Sequence, residues 1–484
     1  MVVQNHFFKE SAIKIGNALD KSSQLLLKKV QSVEVRGKRG AKWDLWLAKE
    51  LPIIETCAIS SGIISLIHAN LPPDNDVVQQ AVQTILYLQD DATGAWTSWI
   101  GDVEETRQEE NDPPLVIDTF FAMWALRAAE KDYLPEYPNG IDWLKSLYDP
   151  IKKGWGFYSD QPPYTLPTAL AIRTFYESEN IDPTEEDKRI FQKGVQWLIG
   201  ARNSDGGWGK TKNASSTLGH TAMALMALEA SGYEKFDPII SKGIEWMLNT
   251  AHNDLRTQSM IPGTVDRYVI GNTRRITHVT FTPAVIIQAY IRNGGNLQDE
   301  RLMEVINYLL EQQKMDGDFA GAWSVEGAID DYPIFGIMDA NVALKLYSNR
   351  ILEIEPILEL SSKFNVLSDE FNTISVQLKD MRQSIEQYSS QMNKIDTLLH
   401  SVDKLTEDLS YIKGSVDTLT PLVKLAIFLR KNYKFLILLF LAFIAYALAY
   451  YYQNSAYKLI PFTAGLILTV IGLIAGYVDF KKSD

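Results

Sequence analysis

Lys193-Gly194-Val195-Gln196-Trp197-Leu198, followed by Arg202 and then by Asp205-Gly206-Gly207-Trp208-Gly209, is the stretch on which the fold turns. Its elements recur along the chain. Tyr308-Leu309 is followed by Gln313 and Asp316-Gly317-Asp318-Phe319, Trp143-Leu144 by Gly154-Trp155-Gly156-Phe157, and Tyr87-Leu88-Gln89 by Gly94-Ala95-Trp96. A degenerate copy, Lys242-Gly243-Ile244-Glu245-Trp246-Met247, lacks the Gly-x-Trp turn. The anchoring aromatics return roughly every 50 to 60 residues, the mark of stacked helical units that cannot bury their apolar faces alone. Within a unit, glycine permits a tight turn and the aromatic ring fills the wedge between neighbours.

Between the copies the sequence predicts helices of a second type, at about Leu51 to Ala69, Pro114 to Ala129, Leu166 to Glu177, Thr217 to Ser231, Thr282 to Asn293 and Ile334 to Ser348. They are apolar nearly all round, as helices inside a larger assembly are. Their partners, such as Glu186 to Gly200 and Gln298 to Gln313, are amphipathic and suit an outer layer, with a first outer helix expected around Asn17 to Ser32. Six inner and about six outer helices make an all-α, closed α6/α6 toroid over residues 1–350.

This pattern resembles the terpenoid-cyclase and protein-prenyltransferase toroid family over roughly residues 20 to 350. The repeat matches that family's QW motif, in which an aromatic and a Gln at the end of one helix meet a Gly-x-Trp turn. Gln313 stands at the Gln position of its unit, and Arg202 replaces it in another. Thr217-Leu218-Gly219-His220-Thr221-Ala222, after the Gly-Gly-Trp turn, is similar to the squalene-hopene cyclase sequence there. The resemblance speaks to fold more than to function, because the motif joins helices and one fold hosts many chemistries.

The chemistries that the resemblance implies are tested residue by residue. Cyclases that protonate an alkene use D-x-D-D-T at the start of an inner helix. The matching stretch is Leu115-Val116-Ile117-Asp118-Thr119, where Asp118 alone survives and Ile117 occupies the proton donor's place. Asp90-Asp91 and Asp330-Asp331 lack the pattern, and no D-D-x-x-D motif occurs. Prenyltransferases hold zinc with Asp, Cys and His. Here Asp331-Tyr332-Pro333-Ile334 lacks the His, and Cys57, His220 and His278 have no ligand spacing. No cofactor or metal is therefore implied. Asp118, His220 and Asp339, on or at the ends of inner helices, remain the candidates for a polar ligand pocket. Buried hydrogen bonds to neighbouring helix ends, or a helix cap at Asp118, are the structural alternatives. Arg267, Arg274 and Arg275, in the irregular stretch that replaces a normal Gly-x-Trp turn, are candidates for an anionic ligand or partner, with a solvated loop as the alternative.

After the toroid the pattern changes. Ile357, Leu360, Phe364, Leu367, Phe371, Ile374, Leu378, Met381, Ile385, Tyr388, Met392, Ile395, Leu399 and Val402 alternate spacings of three and four. The alternation slips at Leu405, a stammer, and resumes with Leu409, Ile412 and Val416. Residues 351–425 thus read as a coiled-coil stalk, about 100 Å long as one helix at 1.5 Å per residue. Another copy of the chain is the expected partner for its seam. A fold-back near Ser389 and Ser390 is the alternative, although no Gly or Pro occurs between Ile357 and Lys413.

Residues 426–484 carry two uncharged apolar stretches, at about 435–452 and 459–478, each near the length that crosses a bilayer. The short link Gln453 to Lys458 makes them a hairpin. Arg430, Lys431, Lys434, Lys481 and Lys482 flank it, which by the positive-inside rule places both termini in the cytoplasm. Gly472 and Gly476 form a G-x-x-x-G face suited to close helix packing. Met1 to Glu10 carries no apolar core of a secretory signal.

Composition bounds the rest. The net charge of −13 over 484 residues argues against a nucleic-acid partner, and the single cysteine, Cys57, precludes an intrachain disulfide. The expected partners are the lipid bilayer, further copies of the chain, and an unidentified small molecule or protein at the toroid. Three functions are in competition. One is a non-catalytic toroid that senses a ligand and signals through the stalk, a layout that resembles membrane effectors of bacterial defence systems at the inner membrane. The second is a membrane-bound isoprenoid enzyme, and the third a structural membrane scaffold.

Overall fold

The structure is a computed structural model. It describes residues 2–353 apart from 36, 50–52, 102–112, 235, 271–273 and 326–331, together with short helical pieces within 371–379 and 402–411. The remainder of the heptad stretch and both apolar C-terminal stretches lie outside the described residues. The chain divides into two units, Met1–Glu359 and Leu360–Asp484.

In the first unit, inner and outer helices alternate. The inner set is α2 (Thr56–His68), α4 (Val116–Ala128), α6 (Thr165–Tyr176), α8 (Leu218–Ala230), α10 (Thr282–Arg292) and α12 (334–353). From α2 to α10 each neighbours the next in sequence order, and Gln288 of α10 donates to Asp339 O of α12 at 3.1 Å. Every residue of α4 from Val116 to Leu126 and of α8 from Leu218 to Leu228 is buried, which is why these helices read as apolar on all sides. The outer set is α1 (Val2–Lys29), α3 (Asp76–Tyr87), α5 (Glu136–Ser146), α7 (Glu185–Gly200), α9 (Pro238–Gln258) and α11 (Glu300–Glu311). Their buried residues follow the helical period: Val78, Ala81, Val82 and Ile85 on α3, and Leu302, Val305, Ile306 and Leu309 on α11. A reciprocal cap between Thr184 and Asp187 starts α7.

The repeat motif interlocks these layers. The indole N–H of Trp208 donates to Leu198 O at 2.7 Å, and those of Trp96, Trp155 and Trp323 donate to Ile85 O, Leu144 O and Leu309 O at 2.8 Å. Each tryptophan is fully buried and so ends its own outer helix by occupying a terminal carbonyl. Room for the ring is left by a glycine on the next outer helix. A Cβ built at Gly194 would lie 2.3 Å from Trp155, and one at Gly243 or Gly140 would lie 3.0 Å from Trp208 or Trp96. Thr168 and Thr221, in the first turn of the next inner helix, accept from the Trp155 and Trp208 backbone N–H at 2.9 Å. Gln89 donates to Glu136 O at 2.7 Å, the first residue of α5, and Arg202 reaches the equivalent carbonyl of Pro238 at 3.4 Å. The replacement of Gln by Arg therefore keeps the contact.

The ring closes through polar side chains from both ends of the chain. Ser22 on α1 donates to Asn341 Oδ1 at 2.9 Å, Asn341 Nδ2 donates to Ser65 O on α2 at 3.2 Å, and Gln313 donates to Ala18 O at 2.9 Å.

Three expectations are corrected. The first outer helix is Val2–Lys29 rather than a segment reaching Ser32, because Gln31–Val35 pairs with Lys38–Lys42 as a hairpin, β1–β2. Just beyond it, Trp43 is a fifth interlocking tryptophan, donating to Leu26 O at 2.8 Å. The first inner helix begins at Thr56, since Ile53–Glu55 (β3) pairs with Trp99–Gly101 (β4). The stretch holding Arg267, Arg274 and Arg275 is an antiparallel hairpin rather than an irregular loop, with Thr264–Ile270 (β5) in register with Arg274–Thr280 (β6). β-Branched residues on both strands, Thr264, Val265, Val269 and Ile270 against Ile276, Thr277, Val279 and Thr280, favour that pairing.

Candidate functional site

At the N-terminal end of α4, Asp118 is 4% exposed and accepts from Cys57 Sγ and Ser98 Oγ, both at 2.8 Å. It is not the cap of its helix, which starts after Leu115. Burial raises its carboxyl to about 6, against the lowering effect of those two bonds. Glu55 at the end of β3 accepts from Leu45 N–H, yet burial, with Asp118 and Asp44 nearby, brings it to about 7. Burial, the Asp118 charge and the bond to Asp118 push the Cys57 thiol well up, so it is a hydrogen-bond donor and not a thiolate nucleophile.

His220 occupies the first turn of α8. Its Nε2 lies 3.0 Å from Asp266 Oδ2 on β5, and its Nδ1 lies 2.7 Å from Thr217 Oγ1. Burial would raise Asp266, but the bond to His220 and the charges of His220, His278 and Lys210 outweigh it and lower the carboxyl. His278 faces Asp266 across the β5–β6 ladder and is lowered, by burial first. This pair fastens the hairpin to α8. Arg267 is exposed, and its carbonyl accepts from Lys210 Nζ at 2.8 Å; Arg274 and Arg275 are on β6.

Asp339 lies on α12, 7% exposed, where it accepts from Phe281 N–H; burial raises it to about 7, against that bond and the Arg173 charge. It borders a central cavity of about 20 Å³ together with Phe120, Phe121, Trp124, Arg173 and Phe335. That is room for about one water. The Arg173 guanidinium lies 5.0 Å from the Phe120 ring centre and 5.4 Å from that of Trp124. Aromatic rings and a cation thus fill the axis where a hollow toroid would hold its ligand.

Asp118, His220 and Asp339 are therefore each engaged in a separate set of hydrogen bonds. Among the described residues, no group of three His, Cys, Asp or Glu side chains could hold a metal ion.

The sequence reading missed the opposite mouth. There Glu177, the C-cap of α6, is bonded to Arg127 of α4, to Arg173 of α6 at 2.8 Å and to Arg292 of α10 at 2.7 Å. Arg292 also bonds Glu229 of α8 at 2.8 Å. The C-terminal ends of α4, α6, α8 and α10 therefore meet at one rim. Burial alone would raise Glu177, but the three guanidinium groups hold it far below the usual carboxylate range. A depression of about 790 Å³ opens above this network. One signal was available: an Arg near the end of three inner helices, each in an otherwise apolar run.

Comparison with known proteins follows the fold. Residues 163–264 match the family model of the squalene-hopene cyclase C-terminal domain. The structure is similar to cellobiose 2-epimerase from Spirochaeta thermophila at 10% identity, with a TM-score of 0.55 over 72% of this chain and 98% of that one. It is also similar to a variant of the type II terpene cyclase MstE from Scytonema in complex with geranylgeranyl dihydroxybenzoate, at 14% identity and a TM-score of 0.47 over 70% of this chain and 99% of that one. No curated protein matches the chain. The family match and the helical ring support a cyclase-like α/α toroid. At identities this low the structural likeness shows the fold alone.

Proposed function

We propose that this chain is a membrane-anchored, non-catalytic toroid that binds a ligand or partner and couples that event to its apolar C-terminal hairpin through a self-associating stalk. The filled axis carries the reading. Small-molecule sites measure about 300–1,000 Å³, whereas the central cavity is about 20 Å³. A prenyl chain has no place on the axis beside Phe120, Phe121 and Trp124. The depression at the rim of α4, α6 and α10 falls in the binding range, and α12, whose chain continues towards the heptads, belongs to the same ring. Exposure of the seam residues Phe371 and Leu405 favours association of stalks.

The test uses the full chain in vesicles. Cross-linking is expected to trap oligomers, Leu378→Glu with Ile385→Glu to abolish them, and assembly to permeabilise vesicles holding a potassium gradient. A monomeric chain that leaves the gradient intact would overturn the proposal.

One observation favours the competing reading, an isoprenoid enzyme. Asp118, the surviving acid of the cyclase-like stretch and next to Ile117 at the proton donor's place, has a raised carboxyl beside Glu55. That reading requires turnover of squalene or geranylgeranyl diphosphate, lost in Asp118→Asn.

A further inference from the structure

The depression at the C-terminal mouth is open to solvent, and its chemistry narrows what can occupy it. Its volume of about 790 Å³ suits a ligand of two small rings or more. Arg127 and Arg292 reach its floor, but Glu177 and Glu229 already take up their charge. Glu130, Asp132 and Glu179 border the same space and add three carboxylates, with no salt bridge among the described residues. A free anion would have to displace Glu177 and would be repelled by these groups. A prenyl or acyl chain would meet walls of which half the residues are charged.

An organic cation could pair with these carboxylates, but it would also meet Arg127 and Arg292 on the floor, and the aromatic faces that could hold it already have internal cations. Arg173 lies 5.4 Å from the Trp124 ring centre and Lys131 lies 5.9 Å from that of Tyr133. What the walls offer instead is a mixture of donors and acceptors. The guanidinium N–H groups of Arg127 and Arg292 and the Asn180 amide donate, while the three carboxylates accept. His68 adds an acceptor. Its Nδ1 lies 2.8 Å from Ile64 O, which only accepts, and burial favours the neutral ring, so Nε2 keeps a lone pair. Tyr133, 66% exposed, adds an apolar ring at the rim.

We infer that this mouth binds a neutral, polyhydroxylated ligand, a saccharide of about two rings, whose hydroxyls answer the interleaved guanidinium and carboxylate groups. The inference names the ligand of the proposed receptor and rests on that reading only for what binding sets in motion.

The experiment uses the full chain purified in a detergent without a sugar headgroup. It is titrated separately with maltose, lactose and chitobiose by calorimetry, with tryptophan fluorescence as a second readout because Trp124 borders the site. Saturable binding of at least one disaccharide is expected, weakened about tenfold by Tyr133→Ala and by Glu179→Gln. Both side chains are exposed, so the variants keep the fold. Absence of binding to all three sugars would overturn the inference, as would binding that both variants leave unchanged, or binding of citrate or arginine amide in place of sugar. Vesicle permeabilisation is scored separately. Permeabilisation without sugar binding rejects this inference and leaves the receptor reading standing, whereas sugar binding by a monomeric chain inert on vesicles does the reverse.

Discussion

Arg292 Nη2 lies 2.7 Å from Glu177 Oε1, and this contact joins the C-terminal ends of α10 and α6, two inner helices separated in the ring by α8. With Arg127, Arg173 and Glu229 it forms a clasp across four consecutive helices. Glu177 is the shared carboxylate of three guanidinium groups; its removal leaves Arg292 with Glu229 but takes the carboxylate partner from Arg127 and Arg173.

Glu177→Gln is therefore expected to destabilise the toroid by about 3–5 kcal/mol. The pH dependence has a definite sign. The carboxyl is lowered in the folded state from its ordinary value of 4.5. Its contribution is complete above that value and is lost as pH falls below it, where folding no longer gains from the ionised form. Urea unfolding of the two proteins at pH 7 and pH 3 checks this: the gap between their midpoints should narrow in acid.

Asp339 has the opposite sign. Burial raises its carboxyl from 3.8 to about 7, so between those values the folded chain holds a proton that the unfolded chain releases. That favours the folded state least at high pH, and stability falls as pH rises through this window. Asp339→Asn keeps an acceptor for Phe281 N–H and removes the titration. The stability of the variant relative to the parent should rise by a few kcal/mol, as an order of magnitude, between pH 4 and pH 8. Equal slopes for the two proteins would contradict the assignment.

The interlocking glycines are distinguishable from ordinary ones. Gly194→Ala would place a methyl 2.3 Å from Trp155 and is expected to cost about 1–3 kcal/mol. Gly200, on the same helix, has nothing within 4 Å, and Gly200→Ala should be neutral or stabilise by up to about 1 kcal/mol. Thermal unfolding of the pair separates steric fit from backbone freedom.

The five tryptophans that bond a helix carbonyl should also differ from their neighbours. Trp208→Phe abandons the Leu198 carbonyl in a fully buried site and is expected to cost about 1–3 kcal/mol beyond the lost volume. Trp246 is partly buried at the edge of the core, and Trp246→Phe should cost less than half as much. Denaturant midpoints of the two variants give the comparison.

Legibility in the sequence followed contiguity. Gly194, Trp197, Leu198 and Trp208 are close along the chain, so the unit they form is visible there, and its copies gave the ring of inner and outer helices. Trp43 was missed because a hairpin, Gln31–Val35 with Lys38–Lys42, separates it from the Leu26 carbonyl it serves. The β5–β6 hairpin had a local signal: two runs of β-branched residues on either side of Gly271-Asn272. That signal was obscured by the expectation of a missing turn. Of the site residues, the separate bonding of Asp118, His220 and Asp339 was among the alternatives, but no property of the residues alone indicated which partners they take.

The sequence by itself determined the repeat, the two helical layers and the type of fold, because amphipathic period and the Gly-x-Trp turn are properties of neighbouring residues. Only the tertiary structure decided which side chains meet inside the ring and at its C-terminal rim. Arg127, Arg173, Glu177, Glu229 and Arg292 come from four helices, and Phe120, Arg173 and Asp339 from three. Whether such side chains converge depends on helix lengths and on ring closure through Ser22, Asn341 and Gln313, which no local stretch of residues encodes.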